Sequence, residues 1–160
     1  MKRIVILLMV CLFTSCTVFQ PKNFSENALN ENLQTVDRED ILLKDILADN
    51  TGRKKFIQVY ASYCPISQDS FDDVVKFQQK HKDVDYIFLS VDHSYHDWKR
   101  GLESLKVKGD HYYIPKKGKG ALGQFLKLKT IPRFLVVDKA GNILVFKTSK
   151  LTETIQQKIK

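Results

Sequence analysis

Cys64 and Pro65 are the residues of this sequence best placed to do chemistry. Phe56 to Ala61 reads as an apolar strand and residues 65–81 read as a helix, so Cys64 falls at or beside the helix N-cap with Pro65 as the first interior residue. Unpaired N–H groups and the positive end of the helix dipole favour a thiolate there, and the thiolate is the form that attacks sulfur. On position alone, a small buried cysteine finishing a strand is the competing description. A second cluster, His93 and His96 beside Asp92, has a spacing that could share a metal on one helical turn, but no further ligands accompany it. Both histidines read as solvated residues at a helix start, and Asp92 as the cap of the turn that follows its strand. No glycine-rich phosphate cradle or Ser-His-Asp signature is present, and nothing in the sequence calls for a metal or a cofactor.

The other two cysteines, Cys11 and Cys16, lie in a segment with the marks of a targeting signal. Lys2 and Arg3 form a positive end, Ile4 to Phe13 an apolar run, and Thr14-Ser15-Cys16 a short-residue site. That run is well short of the about 20 residues a membrane span needs. Leu12-Phe13-Thr14-Ser15-Cys16 resembles the bacterial lipobox, with Phe13 in place of the usual Leu; cleavage would leave Cys16 as an acylated N-terminus. Residues 1–15 are therefore expected to be an export signal, and the protein to face the periplasm from a lipid anchor in the bacterial cell envelope. A plain secretory signal or an uncleaved anchor are the alternatives. With Cys11 removed and Cys16 lipidated, Cys64 is the one free thiol and no internal disulfide can form. An exported chain with a lone thiol either packs it away or uses it.

Composition supports one ordinary domain: 160 residues, 43% hydrophobic and 28% charged, with 7 Gly and 4 Pro. Low-complexity, collagen-like and disulfide-dense classes are excluded. Net charge is +8, and removing Lys2 and Arg3 leaves 24 basic against 18 acidic residues. Such a surface suits acidic partners, anionic lipid or nucleic acid; export argues against nucleic acid. The densest basic stretch, Lys116-Lys117-Gly118-Lys119, lacks interleaved aromatics and reads as a solvated loop.

Residues 16–39, rich in Asn, Gln, Glu and Ser, are expected to form a flexible tether, with the folded domain spanning 40–160. Asn23-Phe24-Ser25 matches a glycosylation sequon, which the bacterial-type signal sets aside. Ile41 to Leu43 with Ile46-Leu47 reads as a first strand region, ended by the turn Asn50-Thr51-Gly52. In the helix at 65–81, Phe71, Val74, Val75 and Phe77 share one face, interrupted by Gln78. The nearly continuous apolar run Val84 to Val91 predicts a strand buried on both faces at the centre of a sheet. Ser94 and Asp97 form a capping-box-like start to a helix that places Tyr95, Trp98, Leu102 and Leu105 on one side, Trp98 being a core residue rather than a cofactor contact. A strand at Tyr112 to Ile114 and a short helix at 120–128 follow. The strands Phe134 to Val137 and Ile143 to Phe146 form a hairpin about Gly141, and Leu151, Ile155 and Ile159 mark a last helix. Alternating strands and helices imply an α/β sandwich with helices on both faces.

Val59-Tyr60-Ala61-Ser62-Tyr63-Cys64-Pro65-Ile66-Ser67 resembles the active-site segment of thioredoxin-like proteins, in particular the membrane-tethered, exported TlpA-like group, whose pattern is aromatic-Ala-Ser-Trp-Cys-Pro-x-Cys. Ile131-Pro132 and the strand and hairpin after it resemble the family's second hallmark, a cis-proline. The likeness spans residues 40–160 and implies a thioredoxin-like three-layer sandwich, with a central mixed sheet and Ile131 and Pro132 facing Cys64. It also implies thiol–disulfide exchange on exported thiol or disulfide proteins, with Tyr63, Pro65, Ile131 and Pro132 contacting substrate and a membrane thiol donor as a further partner. Three departures bear on that activity: Ser67 replaces the resolving cysteine, Tyr63 the tryptophan, and Gln58 the buried acid. Exchange proceeds through a mixed disulfide that the second cysteine normally resolves, and Ser67 cannot do so. The expected function is therefore a monothiol oxidoreductase or isomerase in which Cys64 attacks and Ser67 donates a hydrogen bond to it. The alternative is a redox-inactive thioredoxin-fold binding module. A cysteine peroxidase is disfavoured because Ala61 stands where that family carries threonine.

Overall fold

The computed structural model describes residues 20–48 and 51–160. The expected export signal, Cys11, Cys16 and Asn50 of the expected turn lie outside them. The elements are α1 (Glu26–Leu29), β1 (Asn32–Gln34), β2 (Asp40–Leu42), α2 (Leu43–Leu47), β3 (Lys54–Tyr60), α3 (Pro65–Lys80), β4 (Val84–Ser90), α4 (Tyr95–Leu102), β5 (Asp110–Tyr113), α5 (Ala121–Phe125), β6 (Arg133–Val137), β7 (Ile143–Thr148) and α6 (Glu153–Ile159). Among the described residues, no helix is long and apolar enough to cross a membrane.

The strands form one mixed sheet in the order β2-β1-β5-β4-β3-β6-β7. β3, β4 and β5 run parallel, whereas β6, β7, β1 and β2 join antiparallel. The continuous apolar run of β4 thus lies at the centre, as its composition demands. Alternation along β3 divides the core: Ile57 and Val59 pack with Leu33, Leu43, Leu122 and Leu135 on one face. Phe56 and Tyr60 pack with Phe71, Val74, Trp98 and Ile155 on the other. Helices α1, α2 and α5 cover the first face and α3, α4 and α6 the second, which is the three-layer α/β sandwich expected.

The stretch expected to be a tether is largely part of this fold. Phe24, Ala28 and Leu33 are buried, and β1 pairs with both β2 and β5. Ser25 caps α1 by accepting from the Ala28 amide, while Glu31 accepts from the Ala121 amide at 2.6 Å and so caps α5. Phe24 meets Phe125 at 5.3 Å, and the Lys22 carbonyl accepts from the Ile143 amide. A few apolar anchors in a polar stretch thus suffice, because each finds a distant partner. The fold accordingly begins upstream of residue 40. The first strand region is also shorter than expected. Leu43 and Ile46, three apart, are both buried on the helix α2, a helical rather than a strand period.

Gln78, the polar break in the α3 stripe, donates to the Lys108 carbonyl and accepts from the Lys108 amide at 3.0 Å, tying α3 to the loop before β5. His111 of β5 stacks on Phe88 at 4.7 Å, and its Nδ1 is buried without a hydrogen-bond partner among the described residues. Burial holds this imidazole down at about 4. Its folded value lies below the unfolded one of about 6.5, so the stabilisation is complete above pH 6.5 and is lost as pH falls toward 4. The expected loss from pH 7 to pH 5 is about 2 kcal/mol. His111→Phe should shrink that difference in urea unfolding by this amount, and an unchanged difference would refute the assignment.

Candidate active site

Tyr60 ends β3, and the chain turns through Ala61, Ser62 and Tyr63 before α3 begins at Pro65. Cys64 is the N-cap of α3: its backbone is extended, its amide donates to the Ala61 carbonyl at 3.1 Å, and its carbonyl accepts from Gln68 at 3.0 Å. Its side chain caps nothing, and the residue is a partly exposed free cysteine. The sulfur is therefore left available at the positive end of a sixteen-residue helix.

Asp92 fixes this turn. Fully buried at the end of β4, it accepts from the Ser62 amide at 2.9 and 3.1 Å, the Ser62 hydroxyl at 2.7 Å and the Ser90 hydroxyl at 2.6 Å. The sequence suggested that Asp92 caps the turn after its own strand; the carboxylate instead grips the loop before the thiol. Gln68 Nε2 donates to the Ser62 carbonyl at 2.6 Å and closes the turn from the helix side. From α4, Gly101 lies so near that a Cβ there would fall 2.4 Å from Ser62 Cβ. Below the loop, Trp98 Nε1 donates to the Tyr60 hydroxyl at 3.0 Å, and burial holds that phenol well above its ordinary range.

Under the first turn of α3 the polar groups are neutral. Gln58 is fully buried and donates to Ser70 Oγ at 2.9 Å, and Ser70 donates to the Ser67 carbonyl at 2.6 Å. Gln58 Oε1 and Ser67 Oγ are buried without partners among the described residues. The expected hydrogen bond from Ser67 to Cys64 is therefore not formed; Ser67 lies in the interior, three residues along the helix.

Around Cys64 the surface is apolar. Tyr63 is 52% exposed and Ile66 66% exposed. The ring of His93 lies flat on Tyr63, with centroids 4.2 Å apart and planes 6° apart. That contact, and Asp92's grip on Ser62, were hidden from sequence reasoning because the partners lie about thirty residues away. Among the described residues, no three His, Cys, Asp or Glu side chains are grouped so as to hold a metal. The Ile131–Pro132 peptide is cis. Ile131 and Pro132 line a groove of about 520 Å³ together with Ile66, Asp69 and Asp73 of α3, Arg133, and the loop Ser149 to Leu151. Of the expected substrate contacts, Ile131 and Pro132 line the groove, while Tyr63 and the exposed Pro65 flank Cys64 in sequence and, like Cys64, are not part of its lining.

The sequence profile of a family described as thioredoxin-like matches residues 52–143, more than half of the chain. No curated protein matches the sequence closely enough to count as a relative. Among solved structures, the thioredoxin domain of a Bacteroides vulgatus thiol-disulfide oxidoreductase superposes with a TM-score of 0.66 at 16% identity, covering 86% of this chain and 100% of that one. A Chlorobium tepidum protein assigned as thiol:disulfide interchange protein DsbE gives 0.67 at 19%, covering 88% and 95%. A Bacteroides fragilis thiol-disulfide oxidoreductase gives 0.67 at 14%, covering 84% and 97%. These likenesses establish a shared fold.

Gly101→Ala should destabilise the protein by about 1–3 kcal/mol, because the added methyl overlaps Ser62. Asp92→Asn should cost about 2–3 kcal/mol, since an amide nitrogen would face the Ser62 donors. Urea unfolding measures both, and wild-type midpoints would remove the Asp92–Ser62–Gly101 contact from the account.

Proposed function

The chain belongs to the thioredoxin-like family, and from that premise we propose that it is a monothiol thiol–disulfide exchange protein of the bacterial cell envelope, anchored by lipid at Cys16 and acting through Cys64 on exported protein thiols. The observation that carries the reading is the placement of Cys64: a partly exposed N-cap with no capping bond, near exposed Tyr63 and Ile66, of which Ile66 also lines the Ile131–Pro132 groove. The likeness to structures described as thiol-disulfide oxidoreductases supports it. The anchor and the periplasm-facing location rest on the signal-like residues 1–16.

In the proposed reaction the Cys64 thiolate attacks one sulfur of a partner disulfide. A Cys64–partner disulfide forms, and the partner's other sulfur leaves as a thiolate. A second thiolate must then attack the mixed disulfide. Where that thiolate is the partner's own, it attacks the partner's sulfur and expels Cys64 as a thiolate, so the partner is isomerised and no net electrons move. Where it belongs to an external dithiol, such as a membrane thiol donor, it attacks the Cys64 sulfur and the partner leaves as a thiolate, fully reduced; the donor's second thiolate then attacks the donor's sulfur in the Cys64–donor disulfide, freeing Cys64 as a thiolate and leaving the donor oxidised to its disulfide. Tyr63, Pro65, Ile131 and Pro132 would contact the segment bearing the sulfur. For Ser67, at N3 of the helix that Cys64 caps, to donate to the thiolate, its buried hydroxyl would have to turn from the interior toward the sulfur.

Incubating the full-length protein with a peptide disulfide should yield a stable adduct that peptide mapping locates on Cys64 and that Cys64→Ser abolishes. Ser67→Cys should lower the standing amount of adduct on the order of tenfold, replacing it with free peptide thiol and an internal disulfide between Cys64 and the introduced cysteine. Absence of an adduct on Cys64 would overturn the exchange reading in favour of a redox-inactive binding module.

A further inference from the structure

The end of the sheet opposite Cys64 is basic. The parallel strands β3 and β4 begin there, α3 ends there at Lys80, and the β6–β7 turn reaches it because Val137 pairs with Lys55. These segments and the end of α6 enclose a hollow of about 590 Å³ whose lining includes Arg53, Lys54, Lys80, Lys82, Lys139 and Lys160. Against these six cations the lining holds two carboxylates, Asp83 and Asp138. Asp138 is engaged by its own turn, accepting from the amides of Ala140 at 2.9 Å and Asn142 at 2.8 Å. A second hollow, of about 640 Å³, adjoins the first through Gly52, Lys139 and Ala140 and adds Lys44; among the described residues no carboxylate lines it.

Little within the protein balances this charge. Arg53 pairs with Asp85 at 3.6 Å, and Lys54 Nζ donates to the Lys158 carbonyl at 3.0 Å. Lys44, Lys80, Lys82 and Lys139 are exposed, and among the described residues none of them forms an ion pair.

The chain also enters the fold at this end. The Lys22 carbonyl accepts from the Ile143 amide directly after the β6–β7 turn, and Asn23 and Phe24 line the second hollow beside Lys139. Cys16 therefore precedes by only a few residues the point at which the backbone joins the basic end. A lipid carried at Cys16 would hold this end, rather than the Cys64 end, next to the bilayer. Lysines held near an anionic leaflet are attracted to its headgroups. From this juxtaposition we infer that the basic end lies against the headgroups of an anionic bilayer, with Lys44, Lys80, Lys82 and Lys139 on lipid phosphates. The sixteen-residue α3, about 24 Å long, then holds Cys64 away from the surface, toward soluble partners. The inference rests on the lipid-anchor reading of Cys16 and does not depend on the exchange chemistry.

The test uses the full-length protein isolated from the membranes of the bacterium that expresses it. It is reconstituted on vesicles of phosphatidylcholine alone and on vesicles containing phosphatidylglycerol as well, and amide hydrogen exchange is followed on both. The anionic vesicles should slow exchange at residues 81–84 and 138–142 by roughly threefold or more at low salt and by less than about twofold at 1 M salt, leaving residues 62–68 unchanged. The variant Lys80→Glu, Lys82→Glu, Lys139→Glu should lose this slowing while keeping the wild-type urea midpoint. An equal charge change at exposed lysines elsewhere, Lys116→Glu, Lys119→Glu, Lys129→Glu, should preserve it. Equal exchange on both vesicle types, in protein that floats with both, would overturn the inference and leave the anchor reading intact. Slowing by soluble polyglutamate but not by the anionic vesicles would assign this end to an acidic protein and overturn the lipid as its occupant. Wild-type protein that floats with neutral vesicles no better than Cys16→Ser would overturn the anchor and the inference together.

Discussion

A carboxylate removed from water must find donors, and Asp92 finds them on the loop that carries the thiol. Two contacts from the Ser62 amide and one from its hydroxyl fix the path of the chain between the end of β3 and the start of α3. Because the carboxylate sits just past the C-terminal end of the central strand, the loop is referenced to the middle of the sheet. Gly101 lets α4 close over the same serine, and Trp98, three residues earlier, supports the Tyr60 hydroxyl beneath it. The N-cap position of Cys64 follows from this chain of contacts as much as from Pro65.

The substitutions at Gln58 and Ser67 take on a common meaning within that frame. Gln58 and Ser70 form a neutral hydrogen-bonded chain ending at the Ser67 carbonyl. No group in it is ionised at neutral pH, and none has a sulfur with which to attack a mixed disulfide. The helix terminus is kept, while the parts that would hand on a proton and an electron pair inside the protein are gone. In the exchange reading proposed above, capture of a partner would fall to Cys64 and its release to a thiol outside this segment.

Features carried by local pattern were legible in the sequence. Proline after cysteine at a strand-to-helix change located the start of α3, the unbroken apolar run of β4 located the centre of the sheet, and Ser94 began α4 as a cap, its side chain accepting from the Asp97 amide at 3.1 Å. Features that depend on distant partners were not. Phe24, Ala28 and Leu33 are too sparse to show a period, and only Phe125 and the sheet reveal why they are buried. Leu43 to Leu47 is short enough to fit a strand or a helix. The dense Lys116 to Lys119 forms a turn in which Lys117 donates to the His93 carbonyl at 2.7 Å.

The early start of the fold changes the geometry of the proposed anchor. The Lys22 carbonyl is already bonded to Ile143 of β7, so only the residues between Cys16 and Lys22 separate a lipidated cysteine from the packed body. Even fully extended, that stretch reaches about 20 Å. A domain so close to its lipid would travel as part of the membrane surface, meeting partners by lateral diffusion in two dimensions and presenting to them a restricted range of orientations.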